Sequence, residues 1–170
     1  MKKNIYLIGF MASGKTVHGK RLASFLHYNF LDLDQLIEST ENKKINEIFS
    51  IYGENYFRKI EKLALHQTFL LHNTVVSLGG GTPCFFDNME EINKHGISLY
   101  LKANTGVLTA RLKKNIGQRP LLANKNEIEL EKYIKDTLSE REIFYSRSAL
   151  SCDATNISIQ TISQALTPLL

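Results

Sequence analysis

The stretch GFMASGKT, Gly9 to Thr16, stands between a short apolar run, NIYLI, and the start of a helical pattern. Glycines let backbone N–H groups turn inward around phosphate oxygens, and a helix that starts where the loop ends adds its positive N-terminal end. Gly9, Gly14, Lys15 and Thr16 meet the spacing G-x-x-x-x-G-K-[ST] in a strand–loop–helix setting, the context in which this pattern holds a nucleoside triphosphate. A lysine there reaches the β and γ phosphates, and the following hydroxyl ligates Mg²⁺. The competing reading, a chance glycine turn with an exposed lysine, does not account for the flanking elements. The loop points to a phosphoryl donor and leaves the acceptor open: water, a nucleotide or a small alcohol.

The order of elements around the loop narrows the fold. IYLIG (5–9), FLDL (30–33), TVVSLG (74–79), ISLYLK (97–102) and LSCDA (150–154) read as strands. The first, third and fourth are apolar almost throughout, as in a parallel sheet covered on both faces. Helical patterns lie between them: one from Lys15 that buries Leu22, Phe25 and Leu26, one over about 54–71, one over about 127–147, and a last one carrying Ile159, Ile162, Leu166 and Leu169. This alternation predicts an α/β fold. Residues 34–72 insert an unusual amount of helix, and the polar segment KKNIGQRPLLANKN (113–126) reads as a loop; both are candidates for parts that close over substrates.

The 170 residues, 43% hydrophobic and 22% charged, fit one globular domain. The net charge of +4 is mild and spread out, and no basic stripe with interleaved aromatics favours nucleic acid. The basic opening and apolar run are too short for a secretory leader, and no stretch approaches a membrane span. Cys84 and Cys152 have neither metal-like spacing nor a disulfide framework, so a reduced, cytoplasmic setting is expected. His18, His27, His66, His72 and His95 show no ligand pattern and read as surface or packing residues.

Three features bear on the acceptor. LDLD places Asp32 and Asp34 at the carboxyl end of the second strand, the edge where open α/β sheets bind ligands, and strand alternation would point both the same way. One would hold magnesium through water and the other a hydroxyl; the alternative is that Asp34 caps the next helix. SLGGGTP sets Gly79, Gly80 and Gly81 in a row, either to bring backbone close to a ligand or as a flexible turn. Arg141 continues the stripe Leu130, Ile134, Leu138 and Tyr145, which faces it inward, and Arg58 lies three residues before Glu61, within ion-pair reach. Inward guanidiniums need anions: a substrate carboxylate or an intramolecular salt bridge.

Together GFMASGKT, LDLD, FRKIE, SLGGG, RPLL and REIFY, in that order, resemble shikimate kinase over nearly the whole chain. The resemblance implies a nucleoside-monophosphate-kinase-like sandwich with a five-stranded parallel sheet. Residues 1–170 would form a single kinase domain, with a substrate-binding insert at about 34–61 and a lid at about 112–125. It implies transfer of the γ-phosphoryl of ATP to the 3-hydroxyl of shikimate by a cytoplasmic monomer. On this chain Ala12, Ser13, Gly14, Lys15, Thr16 and Val17 would hold the nucleotide, with Thr16 and Asp32 on Mg²⁺. Arg111 would stack on adenine, and Arg119 would swing in with the lid to neutralise phosphate charge. Asp34, Arg58, Arg141 and the backbone of Gly79, Gly80 and Gly81 would bind shikimate, with Phe49 and Phe57 against its ring. Lys15, Asp34 and Arg119 would carry the chemistry. Two departures stand out. Ala12 and Val17 replace the glycine and the hydroxyl residue common in the family's loop, and DATNISIQ lacks the proline that often flanks adenine. A gluconate or nucleoside-monophosphate kinase is the nearest rival, and a nucleotide switch without transfer activity is the rival from another class.

Overall fold

A run such as Ile5-Tyr6-Leu7-Ile8 has no polar side to turn toward water, so it needs cover on both faces. In the computed structural model, which describes residues 3–114, 126–155 and 157–170, this run is the central strand of a five-stranded parallel sheet. β1 (Asn4–Ile8) lies between β3 (Thr74–Ser77) and β4 (Gly96–Lys102); β2 (Asn29–Asp32) flanks β3, and β5 (Leu150–Asp153) flanks β4. The expected strands are all present, their ends shifted by at most two residues.

Alternation along β1 divides the core. Ile5 and Leu7 face α1 (Lys15–Leu26) and α7 (Ile159–Leu166), meeting Leu22, Ala23, Ile162 and Leu166. Tyr6 and Ile8 face α2 (Leu33–Glu41), α3 (Ile45–Thr68), α4 (Asn88–His95) and the end of α6 (Glu127–Tyr145). Phe10, just past β1, nucleates a third cluster with Leu108 and Leu112 of α5 (Thr105–Lys113) and Leu130 and Ile134 of α6. α4 and α5 are short, with few buried apolar anchors apiece, and the periodicity of the sequence does not bound them.

The helical insert is α2 together with the first half of α3. α3 is broken at Gly53, whose φ of 78° and ψ of 173° belong to a region that only glycine occupies without strain. The helix expected from about residue 54 is therefore the second half of α3. It stops at Thr68 and not at Leu71, because buried Asn4 takes over its end. The Asn4 amide donates to the carbonyls of Thr68 (3.2 Å) and Leu71 (2.7 Å), and its oxygen accepts the Thr74 N–H (3.1 Å) that opens β3. Most of the segment read as a lid, with Arg119 in it, lies outside the described residues.

Candidate active site

β1 and β3 are neighbours, so the loops leaving their carboxyl ends share one edge of the sheet. The loop after β1 runs into α1, whose N-cap is Gly14 and which has no side-chain cap. By contrast, Asp32, Asn104, Asn126 and Ser158 cap α2, α5, α6 and α7. The first-turn N–H groups of α1 are thus left for an anion. Lys15 is 9% exposed, and its ammonium donates to the carbonyls of Gly9 (2.7 Å) and Phe10 (2.9 Å). Ser13 is buried beside it, and Val17 is exposed. Ala12 has a φ of 61°, the left-handed conformation that the family's glycine would take freely; for alanine this costs roughly 1–2 kcal/mol. Arg111, from α5, braces this turn by donating to the carbonyls of Ala12 (3.1 Å) and Ser13 (3.3 Å).

The second strand ends two residues earlier than alternation through Asp34 requires. Its last ladder pair is Asp32 with Ser77, and the chain then turns into α2. Asp32, not Asp34, is the cap, accepting the Gln35 N–H, and Asp34 sits in the first turn of α2. The two carboxylates nevertheless line one cleft of about 220 Å³ with Lys15, Thr16 and Gly80. The Thr16 hydroxyl donates to Asp32 (3.1 Å), which places two hard oxygen donors side by side beneath the uncapped helix end. That donor set suits Mg²⁺ shared with phosphate oxygens. Asp34 is pushed up to about 6, first by burial, then by the charges of Asp32 and Glu61, against the pull of Lys15.

The three glycines prove to be sites of close approach. A Cβ on Gly79 would stand 3.0 Å from Asp34, one on Gly80 3.0 Å from the Arg141 guanidinium, and one on Gly81 2.9 Å from the Arg58 guanidinium. Both arginines face this turn. Arg58 is held by Glu61 (2.8 Å) and Glu54 (3.1 Å) and lies 3.9 Å over the Phe85 ring, so the expected pair with Glu61 is formed. Arg141 lies over Phe10 at 5.5 Å. Glu61 is 1% exposed and also accepts the Thr82 hydroxyl at 2.6 Å. Phe49 and Phe57 pack on each other at 4.5 Å, with Phe57 buried in the core. The sequence reading gives Thr82, Phe85 and Glu54 no role in the site. Only Glu54, one helical turn before Arg58, carries a local signal for its contact. Cys84 is half-buried beside these groups, and burial pushes its thiol up to about 11, so it is a poor nucleophile.

A sequence model described as shikimate kinase matches residues 11–169. The chain belongs to the shikimate kinase family. It is 38% identical to the shikimate kinase of Parabacteroides distasonis over 99% of both chains, and 45% identical to that of Phocaeicola vulgatus over 85% of this chain and 82% of that one. The crystal structure of shikimate kinase from Bacteroides thetaiotaomicron superposes with a TM-score of 0.91 at 37% identity, covering 98% of this chain and 97% of the other. The Acinetobacter baumannii enzyme in complex with shikimate gives 0.87 at 30% identity, covering 99% and 93%. A Sinorhizobium meliloti gluconokinase, at 16% identity and a TM-score of 0.61, shares the fold alone.

Proposed function

We propose that this member of the shikimate kinase family transfers the γ-phosphoryl of ATP to the 3-hydroxyl of shikimate, yielding shikimate 3-phosphate and ADP on the route to chorismate and the aromatic amino acids. The observation that carries this reading is one cleft holding an uncapped helix end, Lys15 and Asp34, whose glycine wall has Arg141 packed at Gly80 and Arg58 at the adjoining Gly81. Such a cleft suits a triphosphate and a compact hydroxylated acid.

Lys15 would exchange the carbonyls of Gly9 and Phe10 for β and γ phosphate oxygens, and the N–H groups from Ala12 to Val17 would cradle the chain of phosphates. Thr16 and Asp32 would hold Mg²⁺, which when bound neutralises phosphate charge. Arg111 would flank adenine from its seat on the loop, and Arg119 would add positive charge at the transferring group. Arg141 and Arg58 would clamp the acceptor carboxylate, an arrangement that arginine's fork suits, while Phe49, Phe57 and the backbone of Gly79, Gly80 and Gly81 bound the ring. Asp34 would accept a hydrogen bond from the 3-hydroxyl. As the new O–P bond forms and the bond to ADP breaks, the hydroxyl proton passes to its carboxylate, which burial makes basic enough to receive it. We read residues 1–170 as one kinase domain, with the insert at about 34–61 and a lid at about 112–125, acting as a cytoplasmic monomer.

The test is ADP release from ATP and Mg²⁺ with shikimate, gluconate, AMP or no acceptor. Release is expected with shikimate alone, and Lys15→Ala and Arg141→Ala each abolish it. Asp34→Asn is expected to lose turnover and keep ATP binding. Release indifferent to the acceptor would keep the donor half of the site and overturn the acceptor half.

A further inference from the structure

We infer that Tyr145 is a positioning residue for the acceptor half of the site: its phenol pins the three-glycine turn against which Arg141 packs. The inference rests on the acceptor reading above. Because Asp34, Arg141 and Arg58 press where side chains would be, residues 79–81 have no Cβ atoms. A turn of three glycines has little torsional restraint of its own, since each samples far more of φ/ψ space than any other residue. Something outside the turn must hold it.

Two of the three carbonyls are held from within the chain that follows: the Thr82 N–H reaches the Gly79 carbonyl (3.1 Å) and the Cys84 N–H the Gly81 carbonyl (2.9 Å). The middle one, on Gly80, accepts the Tyr145 hydroxyl. Tyr145 is the last residue of α6, is fully buried, and rests against Tyr100 with ring centres 5.1 Å apart, so its own position is well determined. Arg141 lies one helical turn earlier on the same face, with its guanidinium 3.0 Å from where a Cβ on Gly80 would stand. The phenol thus gives its proton to the carbonyl of Gly80, the residue against which Arg141 packs. Burial raises its pKa, which keeps the proton available as a donor across the working range. In a trans peptide the C=O and the following N–H point in opposite directions, so turning the Gly80 carbonyl toward Tyr145 turns the Gly81 N–H away from α6. One hydroxyl therefore sets the direction of a backbone donor in the turn that Arg141 packs against.

Tyr145→Phe removes the hydroxyl and keeps the ring. With one hydrogen bond lost, the KM for shikimate is expected to rise about tenfold, with the KM for ATP and kcat changed less than about twofold. Hydrogen exchange of the Thr82 and Cys84 amides in the ligand-free protein is expected to quicken by a similar factor. In an Arg141→Lys background the same substitution should have less effect, because the two residues meet the same glycine, Gly80. A rise in both KM values together would mark a merely structural role and overturn the inference, as would a shikimate KM within about twofold of the unsubstituted protein's. Should the unsubstituted protein fail to use shikimate, the acceptor reading falls on that measurement. Amide exchange then decides the pin alone: unchanged exchange in Tyr145→Phe overturns it, and faster exchange upholds it.

Discussion

At the scale of the residue, Asp34 shows what it costs to keep a carboxylate ready. Burial and the neighbouring charges of Asp32 and Glu61 disfavour its ionised form and raise its pKa to about 6. The folded chain therefore binds that proton more tightly than the unfolded chain does. The resulting stabilisation is complete below the unfolded value and is lost as pH rises through about 6. At neutral pH the ionised Asp34 thus weighs against folding, and Asp34→Asn is expected to melt at a higher temperature than the unsubstituted protein at about pH 8 and at a similar one near pH 4. Binding has the opposite sign, since a hydroxyl donor needs the carboxylate. Calorimetric titration with shikimate, without nucleotide or metal, is expected to show affinity falling as pH drops through about 6. Affinity that stays level from about pH 8 to about pH 5 would remove Asp34 from hydroxyl recognition.

At the scale of the element, α3 matters for its break as much as for its length. Its second half carries Phe57, Arg58 and Glu61 from one continuous helix, and Gly53 sets the angle at which that half meets the sheet. No atom lies within 4 Å of a Cβ built on Gly53, so substitution there meets no crowding and only a backbone conformation that alanine resists. Gly53→Ala is expected to lower stability by roughly 1–3 kcal/mol in urea unfolding, with the slope of the transition unchanged. Any straightening of the break would shift Arg58 relative to Gly81, so the KM for shikimate should rise while that for ATP holds. A variant as stable as the parent would show that α3 tolerates a continuous path, and the break would then have no bearing on the site.

At the scale of the whole molecule, the two faces of the sheet divide the labour. α1 and α7 cover one face, and α2, α3, α4 and the end of α6 cover the other, which carries the acceptor groups. Ile162 of α7 is 1% exposed and lies on the face away from Asp34 and Arg58. Ile162→Ala is expected to cost about 2–5 kcal/mol of stability and to leave both KM values in place. A change in either KM would mean that packing is shared across the sheet. The same division explains what could be read from the chain alone. The phosphate loop, the doubly covered strands, the pair of Arg58 with Glu61 and the inward Arg141 all follow from spacings of a few residues, because loop, strand and helix geometry are set by neighbours in sequence. That Asp32 caps α2 and Asp34 lies in its first turn did not follow, since the end of β2 depends on where its partner β3 ends, at Ser77. Nor did the use of the three glycines, which is set by side chains from α2, α3 and α6 that meet only when the sheet has closed. Contiguous residues determine which groups the chain offers, through local backbone geometry. Which of them touch is decided by long-range packing, because each contact joins segments that the sequence keeps far apart.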